Sequence, residues 1–242
     1  MCKRQAPFSA RAGVRVLKIA VIPSTSNSSN PMNEPLHQFS NVVFKGVDPS
    51  EAEKAVIFVH GRGDASDGMQ QLAAEVVQEP NVAFAFPRAT HHTWYPTSFL
   101  QPWQLNQPWL DSALENLHKI VMRFVDAGLK HEQIYLLGFS QGACLSLEYA
   151  ARNARKYGGI MALSGGLIGP YIEKSHYSGD FSGTPVLMGC SDVDFHIPVE
   201  RVHESAAMLT ELGAVVDKRI YPGMGHLINE DELTAVAALI NG

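Results

Sequence analysis

A mostly parallel central β-sheet with helices on both faces is the fold class this 242-residue chain predicts. Three observations predict it. Short apolar runs alternate with segments of helical spacing, the pattern of an α/β sheet covered on both sides. The composition, 45% hydrophobic and 18% charged, suits one core of substantial size. One apolar run, 134–138, passes without a linker through Gly138-Phe139-Ser140-Gln141-Gly142 into a helical pattern, a sharp strand-to-helix turn that lifts a serine above the end of a sheet.

The elements follow in order. Residues 1–33 stand apart: they carry Lys3, Arg4, Arg11, Arg15 and Lys18, no acidic residue, and a Ser/Asn/Thr-rich stretch over 24–30. They read as a transit peptide or a disordered tail, and Met32 offers an alternative start. Residues 34–242 form the domain. Setting aside the five cations of 1–33 takes the net charge from −5 to −10 over 34–242. Strands are expected at 41–45, 55–60, 81–86, 133–138, 159–164, 185–190 and 215–221. Helices are expected at 69–78, 110–127, 141–155, 199–212 and 230–240. A long aromatic loop occupies 88–108, and a Gly- and Tyr-rich loop joins the fifth and sixth strands.

A serine is a poor nucleophile unless a base takes its proton and an acid orients that base. Ser140 sits on the turn, and the glycines beside it leave room for the backbone to bend. Gln141 opens the helix, so its backbone N–H is a free donor beside the serine oxygen. The strand at 185–190 ends in Ser191-Asp192-Val193-Asp194, where Asp192 or Asp194 supplies the acid. Asp194 is preferred, with Asp192 left to tie the loop. The strand at 215–221 leads to Gly223-Met224-Gly225-His226, which places a histidine after the acid in chain order. His91 and His92 precede the serine, whereas His196 and His203 lie on the acid loop and the helix after it. These four read as surface or packed residues. His60-Gly61-Arg62-Gly63-Asp64 follows an early core strand, where the Arg62 N–H becomes the second donor for an oxyanion. The Arg62 side chain is expected in solvent, with an acidic substrate group as the other reading. Trp94, Tyr95 and Phe99 are expected to form an apolar wall beside the site. Cys144 reads as a small core residue.

On these four separated motifs the chain resembles the phospholipase/carboxylesterase group of α/β-hydrolases, which includes the acyl-protein thioesterases. The resemblance covers about residues 40–242. Trp94-Tyr95-Pro96 and Ser98-Phe99 resemble the bacterial-type carboxylesterases. The resemblance implies an α/β-hydrolase fold, Ser140 as nucleophile, His226 as base and Asp194 as acid, the aspartate four residues before Pro198. It also implies Arg62 and Gln141 as backbone oxyanion donors. Two features depart from the thioesterases: Arg62 replaces an apolar residue, and the 88–108 loop follows the carboxylesterase type. Both argue against depalmitoylation of proteins, and residues 1–33 have no counterpart in the family pattern.

The expected activity is therefore hydrolysis of a small carboxylic ester through an acyl-enzyme, without cofactor or metal. A thioesterase or lysophospholipase on the same site is the nearest alternative. A catalytically silent hydrolase fold used for binding is the alternative of another class. The acidic net charge argues against nucleic acid as a partner, and no run approaches the roughly 18 apolar residues of a membrane helix. Three scattered cysteines suggest a reducing, cytoplasmic setting, with organelle targeting through 1–33 as the alternative. A homodimer is compatible with the sequence, but nothing in it points to one.

Overall fold

The computed structural model describes residues 36–242. The basic extension 1–33 and the alternative start at Met32 lie outside the described residues. The chain runs β1 (Val43–Gly46), β2 (Lys54–Val59), α1 (Asp67–Val76), β3 (Val82–Phe86), α2 (Trp109–Asp126) and β4 (Ile134–Phe139). It continues through α3 (Gln141–Arg152), β5 (Gly159–Leu163), β6 (Pro185–Ser191), α4 (Val199–Glu211), β7 (Val215–Tyr221) and α5 (Glu230–Asn241). The strands form one sheet in the order β1-β3-β2-β4-β5-β6-β7. Only β1 is antiparallel to its neighbour; the other pairs are parallel.

Parallel strands joined by helical crossovers are buried on both faces, so they read as unbroken apolar runs. Successive side chains point to opposite faces. In β2, Ala55, Ile57 and Val59 enter one core and Val56 and Phe58 the other. In β4, Ile134 and Leu136 join the first core, and Leu137 and Phe139 the second. Helices α2, α3 and α4 cover the first face, and α1 and α5 the second. Helix α2 turns Leu110, Ala113, Leu117, Ile120, Val121 and Phe124 inward, the i, i+3, i+4 stripe of an amphipathic helix. Each large apolar side chain so buried contributes about 1.5–3 kcal/mol.

The expected helix boundaries move by a few residues. Helix α3 stops at Arg152 rather than 155, because Asn153 leaves helical geometry and Ala154 pairs with Gly179. Helix α1 begins two residues early, at Asp67, whose carboxylate suits the positive end of the helix. The parallel direction of β2, β4, β6 and β7 places the loops after all four at one edge of the sheet. That is where open α/β sheets hold their functional groups.

Candidate active site

The turn between β4 and α3 places Ser140 at φ 56°, ψ −120°, a backbone conformation that side-chain-bearing residues seldom adopt. Its N–H donates to the Leu163 carbonyl at 2.9 Å, and its carbonyl accepts from Cys144 N–H at 3.0 Å. A Cβ on Gly138 would overlap the Gly142 carbonyl, and a Cβ on Gly142 would overlap that of Val59. The two glycines therefore let strand, turn and helix pack in direct backbone contact.

His226 arrives on the loop after β7, which bends through Gly223 (φ 67°) and Gly225 (φ 76°). Gly225 N–H donates to Ser191 Oγ at 2.9 Å, and Gly223 N–H to Asp192 Oδ1 at 2.7 Å. So anchored, the ring sets Nε2 at 2.8 Å from Ser140 Oγ and Nδ1 at 2.7 Å from Asp194 Oδ2. One tautomer satisfies both contacts: Nδ1–H donates to the carboxylate and Nε2 accepts from the hydroxyl. The other oxygen of Asp194 accepts from His196 N–H at 2.8 Å and Ile197 N–H at 3.1 Å. Burial pushes the Asp194 carboxyl up, but the bond from His226, its charge and the two backbone donors outweigh this. They hold the carboxyl below its usual range. Of the two candidate acids, Asp194 is thus the one brought to His226, and Asp192 ties the histidine loop.

Arg62 and Gln141 flank the serine from two different elements, and neither backbone N–H is spent on a backbone acceptor among the described residues. Their side chains converge on one loop. Arg62 Nη2 donates to the Tyr95 carbonyl at 2.9 Å and to that of Thr97 at 2.8 Å, and Nη1 donates to that of Pro96 at 3.1 Å. Gln141 Nε2 donates to the Tyr95 carbonyl at 2.8 Å, while its Oε1 accepts from Trp94 N–H at 2.9 Å. Arg62 is exposed at the loop surface as expected, and three carbonyls in addition hold its guanidinium against the loop.

A cavity of about 270 Å³ opens between this loop, Ser140 and His226. Tyr95 and Phe99 line it. Trp94 does not: it is fully buried behind the site, its ring 4.9 Å from that of His60 and its Nε1–H on the His60 carbonyl at 2.8 Å. The expected wall therefore loses Trp94, whose indole finds its hydrogen-bond partner in the interior. His60 braces the same region, with Nδ1 on the Gly61 carbonyl and Nε2 accepting from Ala89 N–H.

Two residues read from the sequence as surface or packed side chains also border the cavity. His196 packs edge-on against the His226 ring at 4.8 Å. The signal for it was the short Asp194–His196 spacing, because the turn that caps the carboxylate also delivers residue 196 beside His226. Cys144, one helical turn after Ser140, is buried as expected but also borders the cavity. Among the described residues no group of three or more His, Cys, Asp or Glu is arranged to hold a metal. No helix among them is long and apolar enough to cross a membrane.

The parallel sheet and the serine turn at its carboxyl edge define the class: this is an α/β-hydrolase. Residues 41–242 match the model of the phospholipase/carboxylesterase family, and the chain belongs to that family. The Saccharomyces cerevisiae acyl-protein thioesterase 1 is 32% identical over 209 residues, 78% of this chain and 92% of that protein. The Arabidopsis thaliana carboxylesterase SOBER1 is 24% identical over 208 residues, 78% of this chain and 90% of that protein. The crystal structure of a phospholipase/carboxylesterase from Dyadobacter fermentans superposes with a TM-score of 0.82 at 43% identity, covering 86% of this chain and 99% of that one. The protein is accordingly a hydrolase of the carboxylesterase and acyl-protein thioesterase type.

Proposed function

We propose that the protein cleaves carboxylic esters through an acyl-enzyme on Ser140. The observation that carries this reading is the hydrogen-bonded line Ser140 Oγ, His226 Nε2, His226 Nδ1, Asp194 Oδ2, with contacts of 2.8 and 2.7 Å. His226 takes the serine proton as Oγ attacks the acyl carbon. The developing oxyanion accepts from the backbone N–H groups of Arg62 and Gln141. The tetrahedral intermediate expels the alcohol, which leaves with the proton held on Nε2. Water then repeats the sequence against the acyl-serine, and the carboxylic acid departs. Asp194 keeps its negative charge and stabilises the imidazolium in both halves.

The cavity volume lies at the small end for ligand sites, which supports short acyl chains. Scarce cysteines suit a reducing compartment, and the reading places the enzyme in the cytoplasm. A thioesterase activity is the second reading, and the thioesterase relative from yeast favours it. The cationic Arg62 and the aromatic loop argue against depalmitoylation of proteins. A p-nitrophenyl ester series from acetate to decanoate, run beside a short-chain thioester, separates the two. A fluorophosphonate probe should label Ser140, and Ser140→Ala should lose both labelling and turnover. Full turnover by pure, folded Ser140→Ala would overturn the proposal.

A further inference from the structure

We propose that the preferred ester carries a carboxylate, which Arg62 binds at the pocket wall. This rests on the reading of Ser140 as the ester-cleaving residue and names the substrate class for that site.

Arg62 borders the cavity and its side chain is partly open to solvent. A guanidinium has five N–H donors. Three are spent on the carbonyls of Tyr95, Pro96 and Thr97. The Nε–H and one Nη1–H have no partner among the described residues. Those carbonyls are dipoles without net charge. They offset part of the cost of drawing the cation out of water but leave its positive charge in place. Among the described residues, the one group whose charge favours the cation is the phenol of the buried Tyr95, a neutral side chain at ordinary pH, and no carboxylate pairs with Arg62.

The other charged groups of the cavity do not supply an anion. Asp194 is buried behind His226 and spends its oxygens on His226, His196 N–H and Ile197 N–H. Burial, then the His226 ring, disfavour a proton on His196 against the opposing charge of Asp194, and the nearby Arg62 charge adds a smaller push in the same direction. Arg62 is thus the one fixed charge among the residues that line the cavity, and no carboxylate is among them. A pocket of this sign concentrates anionic ligands, and a guanidinium with spare donors gives a charge-assisted hydrogen bond to a carboxylate. Pinning a loop needs donors only. A permanent charge left open to the cavity goes beyond that need.

Two ester pairs locate the carboxylate. On the acyl side, p-nitrophenyl hemiadipate is compared with p-nitrophenyl hexanoate. On the alcohol side, 4-carboxyphenyl butyrate is compared with its neutral 4-carbamoyl analogue. The readout is the ratio of kcat/KM for the anionic and neutral member, measured for the wild-type enzyme, R62K and R62M. In at least one pair R62M should lower the ratio about tenfold, while R62K keeps most of it despite losing the three-carbonyl fork. The wild-type ratio should also fall as salt is raised, because screening acts on the anionic ester alone. Equal ratios in wild-type and R62M for both pairs would overturn the proposal, as would a ratio lost equally in R62K. Neutral-ester turnover that depends on Ser140 separates such a failure from a failure of the esterase reading itself.

Discussion

Gln141 and Arg62 hold the same oxygen: both donate to the backbone carbonyl of Tyr95, at 2.8 and 2.9 Å. The two residues proposed to present oxyanion donors from different elements are therefore tied through their side chains to one loop. Gln141→Ala keeps its own backbone N–H but releases Tyr95 and Trp94. A misplacement on the order of 1 Å costs roughly 10²-fold in rate. The expected result is a kcat lowered about 10- to 100-fold on p-nitrophenyl butyrate with KM changed little. An unaltered kcat would show that the loop holds its place without this tie.

Asp194 and Asp192 differ in what they touch, and their amide variants should differ accordingly. Asp194→Asn disturbs the tautomer of His226 and removes the charge that stabilises its protonated form. A loss of about 10⁴ in kcat is expected. Asp192→Asn keeps an acceptor for Gly223 N–H and should stay within about tenfold of wild type on the scale of one hydrogen bond. Comparable losses at both positions would contradict the assignment. Circular dichroism on each variant checks that folding is intact.

Glu232 gives a pH dependence of stability. Its Oε1 is buried without a hydrogen-bond partner, while Oε2 accepts from Asn229 N–H at 2.9 Å in the capping box of α5. The carboxyl lies over Gly189, where a Cβ would overlap it. Burial pushes its pKa up to about 7, against the opposing pull of the Asn229 N–H. The folded state therefore binds this proton more tightly than the unfolded chain does. That contribution is complete below about pH 4.3 and is lost as pH rises through about 7. Glu232→Gln should have little effect near pH 5 but raise stability by up to about 3 kcal/mol at pH 8. Urea denaturation at the two pH values measures it. A difference that is the same at both would refute the assignment.

Cys144 and Cys190 should be inert in the folded protein. Burial pushes both thiols up to about 12, and the thiolate is the reactive form. Iodoacetamide at pH 8 should leave both unmodified by peptide mass mapping, and label both in guanidinium chloride. Labelling of Cys144 without denaturant would mean that the cavity beside Ser140 opens further than its static shape.

The inner strands β2 to β6 were legible because each carries a buried apolar run, and the five helices because each carries an apolar stripe. The apolar run of β2 and the stripe of α2 admit few other readings. Helix ends were less legible, since α3 gives way at Asn153 to the pairing of Ala154 with Gly179, a residue 25 positions further on. Ser140, His226 and the glycines around them were visible because a strained turn and two bent loops demand particular residues at fixed offsets. His196 was not, since its place depends on the backbone turn around Asp194 rather than on its own chemistry.

The sequence by itself determined the order of parts: a serine on a strand-to-helix turn, an acidic loop, a histidine loop and a glycine-flanked donor, each following a strand. Local patterning carries that information because each part is encoded within a few residues. Only the tertiary structure decided which aspartate meets His226, that Trp94 is buried instead of lining the cavity, and that Arg62 is pinned by three carbonyls yet left without a counter-ion. Those outcomes depend on packing and hydrogen bonding between segments about 30 to 90 residues apart, where competition among side chains for the same space and the same acceptors settles what no single stretch encodes.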